Sequence, residues 1–313
     1  MPDTTTAPAL PVSGSVTELR HGAYRADVAG VGASLRTLRH DGRDLVVPFA
    51  ADRVRPLFRG AILAPWPNRV VDGAYEEAGE TLQLALTEVE RGHALHGLVA
   101  WAEWRVESSE PHRASLVTEL APSEGYPWRL ALRATYELGD AGLVTTVEAT
   151  NVGDGSAPYG VAPHPYLVAG EGRVDDWTLQ LPADSYLEVT DDRLVPTGVH
   201  GVTEREGFDF REGRLVGDLF VDHAFTELAR DEAGVATATL TAADGRGVAM
   251  SWGPELPWVQ VHTADRPEPA DNRVGLAVEP MTCPPDAFTS GIDLVRLAPG
   301  ETHVAAWTIA AVS

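Results

Sequence analysis

The stretch RLALRATYEL (Arg129–Leu138), then Gly139-Asp140-Ala141-Gly142, then LVTTVEAT (Leu143–Thr150), decides the fold class. Both runs tend to alternate apolar and polar side chains with period two, the pattern of a strand with one buried face. The Asp-Ala-Gly between them is turn chemistry, supplying short and glycine residues for a tight reversal. Working outward, similar runs recur at Ala23–Val28, Thr81–Leu86, Ala114–Leu120, Trp177–Leu181, Val235–Thr241, Val248–Trp252, Trp258–Thr263 and Val304–Ile309. Asp41-Gly42, Asp72-Gly73, Asn151–Gly155 and Asp244-Gly245 punctuate them as turns. No long amphipathic helix is evident, and 30 glycines and 23 prolines disfavour one. So many antiparallel strands must close their edges or pack face to face. The expected fold is therefore all-β, a large antiparallel β-sandwich. Residues 1–14, rich in Thr, Pro, Ala and Ser, are expected to be a frayed start, and residues 15–313 a single domain without linker or internal repeat.

Composition narrows the function. The 313 residues are 44% hydrophobic, enough for a sizeable core. Acids outnumber bases 46 to 24, giving a formal charge of −22. Such a surface repels phosphate backbones and anionic lipid, so neither nucleic acid nor a membrane is expected as partner. Lysine is absent, which excludes Schiff-base chemistry, pyridoxal phosphate attachment and a P-loop lysine. The single cysteine, Cys283, allows no internal disulfide and no cysteine-rich zinc site, and reads as inert packing. The start lacks a secretory pattern and no apolar stretch is long enough to span a bilayer, so the expected location is the cytoplasm.

Five places carry candidate chemistry. Ala64-Pro65-Trp66-Pro67-Asn68-Arg69 holds a flat apolar ring and planar donors on a proline-restricted loop, which suits a sugar; a structural loop with a paired Arg69 competes evenly. His93-Ala94-Leu95-His96-Gly97 sits between glycines, so metal ligation is the less favoured use of its histidines. In Tyr159–Tyr166, His164 stands between two prolines, which preset the imidazole direction. Histidine is also the side chain best matched to proton transfer near neutral pH. Asp222-His223-Ala224-Phe225 is weak alone. In Trp258–Thr263, Gln260 and His262 share one face of a strand and Val259 and Val261 the other. Glu279 is the only charge in the apolar run Val274–Met281, so desolvation is expected to raise its pKa toward working pH; a rim glutamate paired with an arginine is the competing reading.

The order of these segments matters more than any one. Pro-Asn-Arg, Leu-His-Gly, His-Pro-Tyr, Asp-x-x-Phe, Val-Gln-Val and Val-Glu-Pro, in that sequence from about residue 20 onward, closely resemble the aldose 1-epimerase (galactose mutarotase) family. The resemblance implies a supersandwich fold and interconversion of the α and β anomers of a free sugar without a cofactor or metal. It also implies Glu279 as general base and His164 as general acid. Arg69, His96, Asp222 and Gln260 would hold the sugar and order that pair, with Asn68 supporting Arg69. Trp66, Trp101, Phe225 and Trp258 are the candidates to stack on the sugar's apolar face. The sequence departs from the commoner pattern at Gly97-Leu98, at Leu167-Val168-Ala169, at His262 and at Met281, none of which removes a proton-transfer group. The Ala64–Arg69 form resembles a bacterial subgroup, some of whose members sit in sulfosugar pathways.

The residues suit the reaction. Ring opening removes a proton from the C1 hydroxyl and delivers one to the ring oxygen, so one base and one acid suffice: Glu279 as carboxylate and His164 as imidazolium. Other readings remain open. A glycosidase would recruit Asp222 beside Glu279. A non-catalytic carbohydrate-binding protein would leave anomerisation at its spontaneous rate. A cupin-like site would use His93, His96, His164 and Glu279. A sugar-phosphate or sulfosugar epimerase of the same fold would need arginines such as Arg59 or Arg69 for the anion. The sugar substrate is the expected partner, and the chain a monomer or homodimer.

Overall fold

The Arg129–Thr150 stretch forms the hairpin its pattern predicts. In a computed structural model describing residues 10–313, strands Leu130–Gly139 and Gly142–Asn151 pair antiparallel from Leu130 opposite Asn151 to Gly139 opposite Gly142. Leu130, Leu132, Ala134, Tyr136 and Leu138 point inward, while Arg133 and Glu137 are exposed. The hairpin lies inside a nine-stranded sheet. Its order is Arg105–Ser109, Arg113–Leu120, Leu130–Gly139, Gly142–Asn151, Thr302–Val312, Gly247–Trp252, Ala236–Thr241, Thr178–Gln180 and Arg214–Leu215.

The second large sheet is six-stranded and antiparallel. Its order is Tyr166–Leu167, Leu276–Met281, Trp258–His262, Asp222–Leu228, Ala183–Val189 and Pro196–Gly201. A four-stranded sheet over Val16–Asp44 and several two-stranded ribbons complete the strands. Among the described residues the one α-helix is Ala287–Ser290, too short to cross a membrane. Inner faces of both large sheets meet in one hydrophobic cluster: Leu132, Tyr136, Val147 and Met250 from the larger, Val259, Val261 and Val278 from the smaller. Since side chains alternate along a strand, burying Val259, Val261 and Val278 turns Gln260, His262 and Glu279 to the opposite face. The core thus decides which residues face outward from this sheet.

All ten strand readings are observed, with boundaries shifted; Thr81–Leu86 appears as Glu80–Gln83 and Val304–Ile309 lengthens to Thr302–Val312. The sequence pattern does not reveal several further strands, among them Val16–His21, Ser34–His40, Arg105–Ser109, Ala183–Val189, Pro196–Gly201, Asp222–Leu228 and Leu276–Met281. Leu276–Met281 is buried on both faces and shows no alternation. It also contains Pro280, unusual inside a sheet. The adjoining Tyr166–Leu167 strand pairs only with Leu276 and Ala277, so Pro280 has no ladder partner on that side. Of the expected frayed start, residues 1–9 lie outside the described residues. Leu10, Pro11 and Val12 are exposed, while Ser13 and Gly14 are buried, with Ser13 N–H donating to Ala51 O at 2.9 Å and Ser13 O accepting from Val31 N–H at 2.9 Å.

Candidate active site

The outer face of the six-stranded sheet floors a cleft of about 340 Å³. Register sets its chemistry. Gln260 lies opposite Glu279, and Asp222 opposite His262, so all four project from neighbouring strands on one face. Gln260 Nε2 donates to Asp222 Oδ1 at 2.7 Å. His164 reaches over this face from the Pro163-His164-Pro165 segment. There Ala162–Pro163 pairs with Ile62–Leu63, and the His164 N–H donates to Ala61 O at 3.0 Å. Its Nε2 stands 3.5 Å from Glu279 Oε1.

The opposite wall comes from two loops clipped together. Arg69–Val70 pairs with Ala94–Leu95, and His96 N–H donates to Asn68 O at 2.8 Å. Asn68 and His96 both have left-handed backbones, with φ of 52° and 61°. Gly97 follows at φ 71°, where a Cβ would sit 2.1 Å from Ala64 O, so only glycine lets this turn press against the Ala64–Pro65 segment. Leu57 and Phe58 at the mouth are also left-handed. Non-glycine residues persist in that conformation only when their surroundings hold them there, and such strain concentrates at functional sites.

Besides Arg91 Nε, five buried polar atoms of residues lining this cleft have no hydrogen-bond partner: His96 Nδ1, His164 Nδ1, His262 Nδ1, Gln260 Oε1 and Glu279 Oε2. Leaving one such atom unpaired costs about 1–3 kcal/mol, so five around one cleft give it a concentration of unmet hydrogen-bonding capacity. A larger depression of about 710 Å³ over Arg105, Val117 and Arg133 has no such atoms; its Arg133 is already paired with Glu107 and Glu148.

Burial dominates the electrostatics. Glu279 is 2% exposed, and desolvation, reinforced by the Asp222 charge and opposed by Arg69, holds its carboxyl well above the usual range. His164 is 5% exposed, and desolvation with the nearby His262 pushes it down to about 3. His96 is likewise driven well below its ordinary value by burial and by His164. Burial alone would raise Asp222, yet His262, Arg69 and the Gln260 hydrogen bond outweigh it and the net direction is down. In the unliganded cleft burial thus works against the expected carboxylate–imidazolium form and toward the uncharged pair. The proton count is unchanged, because acid plus imidazole and carboxylate plus imidazolium each hold one proton.

The structure brings His164, Glu279, Asn68, Arg69, His96, Asp222 and Gln260 to this one cleft. It places Trp66 elsewhere. The Trp66 ring is 3% exposed, packs edge-on against Phe288 at 5.5 Å, and its Nε1 donates to Ala94 O at 3.3 Å. The proline-restricted loop thus turns Trp66 into the core while Asn68 and Arg69 face the cleft. Phe225 and Trp258 are also buried away from it, and Trp101, 51% exposed, stands behind Phe58. The lining aromatics are instead Phe58, Tyr166 and Phe220. Of these, only Tyr166 stood inside a quoted motif. His93 lies outside the cleft, its Nδ1 accepting from Asp72 N–H at 3.2 Å and its Nε2 bonded to Arg193 O at 2.8 Å, so it cannot join a metal cluster with His96. Arg59 is engaged by Asp271 at 2.7 Å. Burial pushes the Cys283 thiol up to about 12, leaving it unreactive.

Sequence reading passed over Glu88, Arg91, Asp265 and Arg266, which also line the cleft. All four lie in polar stretches where a solvated charge is the default reading.

A family model described as aldose 1-epimerase matches residues 15–310. The chain belongs to that family. It is 36% identical to the uncharacterized protein YihR of Escherichia coli (strain K12) over 292 residues, 93% of this chain and 91% of the relative. It is 28% identical to galactose mutarotase of Rattus norvegicus over 226 residues, 65% of this chain and 63% of that one. Among solved structures, a GalM/aldose epimerase homologue from C. elegans superposes with a TM-score of 0.82 at 20% identity, covering 96% of this chain and 99% of that one, a likeness of fold. This aldose 1-epimerase family member thus pairs the sugar-epimerase fold with a closely lined cleft.

Proposed function

We propose that the protein is an aldose 1-epimerase acting on a free aldohexose or a related sugar, with His164 and Glu279 as its proton-transfer pair. The observation that carries this is the 3.5 Å approach of two buried titratable groups inside a cleft of unsatisfied polar atoms. An entering sugar supplies the missing partners. A C1 hydroxyl donating to Glu279 Oε2 favours the carboxylate, so the shared proton moves to His164. Glu279 then takes the C1 hydroxyl proton while His164 delivers its proton to the ring oxygen, and the C1–ring oxygen bond breaks. Rotation about C1–C2 and reclosure, with the roles exchanged, give the other anomer. Arg69, His96, Asp222 and Gln260 hold the hydroxyls, and Asn68 Oδ1 accepts from Arg69 Nη1 at 3.3 Å. Phe58 and Phe220 replace Trp66 as the apolar surfaces for the sugar.

One observation favours a second reading, a sugar carrying an anionic substituent. Arg266 lines the cleft with its Nη2 3.3 Å from His262 Nε2, and no carboxylate lies within 4 Å of it among the described residues. In a chain of charge −22, such a guanidinium suits a sulfonate or phosphate. The test is an anomer-exchange measurement by NMR or polarimetry across neutral and 6-anionic aldohexoses. Acceleration above the spontaneous rate is expected for at least one; binding without acceleration would make this a carbohydrate-binding protein instead.

A further inference from the structure

Glu88 has no part in the reaction above, yet it is the best-fixed carboxylate of the cleft wall. Its Oε2 accepts from Arg69 Nε at 2.7 Å, and its Oε1 accepts from Arg69 Nη2 at 2.9 Å and from Arg91 Nη1 at 2.9 Å. A carboxylate matched edge-on to a guanidinium fixes that plane in space. Two of the five Arg69 donors point away from the ligand, and Nη1 is left at Asn68 and the open cleft. The backbone is equally fixed. Glu88 N–H donates to His93 O at 3.0 Å and Glu88 O accepts from Gly92 N–H at 2.8 Å, closing a hairpin that runs on into His96. His93, held by Asp72 and Arg193, pins this hairpin from outside.

We propose that Glu88 is a positioning residue that fixes which edge of the Arg69 guanidinium meets the sugar and offsets that cation's charge at the His164–Glu279 pair. The inference rests on Arg69 being a sugar ligand, as the proposed function has it. Several other charged and titratable groups face the pair. Asp222 and His262 lie on the adjoining strands, and Tyr166 and His96 on the walls. Asp265, Arg91 and Arg266 also line the cleft, and the buried Arg55 disfavours protonation of His164. Among them Arg69 is the cation that favours the Glu279 carboxylate, and Glu88 is the acid in direct contact with that cation. Removing the Glu88 charge leaves Arg69 and Arg91 uncompensated, which disfavours every protonated form of the pair.

The experiment compares Glu88→Gln and Glu88→Asp with the unsubstituted enzyme. For Glu88→Gln, loss of charge-assisted bonds that orient Arg69 is expected to raise KM about tenfold with kcat changed much less. Both limbs of the pH profile are expected to move to lower pH by about half a unit or more. Glu88→Asp keeps the charge and should return the limbs to their original positions even if KM recovers only in part. Unmoved limbs in folded Glu88→Gln overturn the proposal. So do equal limb shifts in both variants, which would mark a purely structural role. A titration of the Glu279 carboxyl carbon by ¹³C NMR, assigned with Glu279→Gln, reads the same shift without turnover. Failure of anomerisation would therefore sink the proposed function while this titration still decides for or against Glu88.

Discussion

Glu279→Gln keeps the shape of the side chain and removes its ability to take a proton. If Glu279 is the base, the loss is that of general base catalysis, about 10²- to 10⁴-fold in turnover. That corresponds to about 3 to 5 kcal/mol of barrier at 1.36 kcal/mol per decade. Sugar affinity should change less, because an amide still fills the place opposite Gln260. Stability should move the other way. The folded pKa of Glu279 is raised, so its contribution to stability is intact below the unfolded value near 4.3 and is lost as pH rises through the folded one. Glutamine does not ionise and escapes that loss. Glu279→Gln should therefore match the unsubstituted protein near pH 4 and exceed it progressively toward neutrality. The gain is about 1.4 kcal/mol for each pH unit by which the folded pKa exceeds the unfolded one. Anomer exchange by NMR gives the turnover, and urea unfolding followed by tryptophan fluorescence at several pH values gives the stability. Turnover within tenfold of the unsubstituted protein would refute the base assignment. A stability difference independent of pH would refute the desolvation argument beneath it.

The other expectations are briefer. His164→Asn should lose at least roughly two orders of magnitude in turnover, and the double variant with Glu279→Gln little more, since the pair acts as a unit; additive losses would separate them. The folded pKa of His164 is depressed to about 3, so its stability is present above the unfolded value near 6.5 and is lost as pH falls toward 3. His164→Asn should flatten the acid side of the unfolding profile, and an unchanged slope there would count against burial of a neutral imidazole. Trp66→Phe should cost stability, on the order of 1–3 kcal/mol, and leave KM within about threefold; a raised KM at full stability would put Trp66 back against the sugar. Arg266→Ala should raise KM for 6-anionic sugars more than tenfold and for neutral ones little. Equal effects on both would remove the anionic reading.

How legible each residue is depends on how costly its alternative would be. Glu279 stands out in sequence because a lone charge within Val274–Met281 is expensive to bury without purpose, and it is found 2% exposed. His164 stands out because two prolines leave its backbone little choice. Trp66 misled because the same prolines say that a loop is rigid and not which way each side chain points; its partner Phe288 lies more than two hundred residues on. Glu88 and Arg266 were invisible for the opposite reason. A charge in a polar stretch costs nothing when solvated, so only the fold reveals that it borders a cleft.

The linear chain by itself determined the all-β class, through the period-two alternation that strands half-buried in a core must show. It determined the absence of lysine and disulfide chemistry, and it marked the segments that carry the proposed proton-transfer residues. Tertiary structure alone decided that Glu279 faces Gln260 across two paired strands, that His164 hangs 3.5 Å above, and that Trp66 turns inward. It also decided the direction in which each pKa of the pair moves, since a pKa is set by what surrounds a group, and the surrounding Arg69, Asp222 and His262 come from distant parts of the chain.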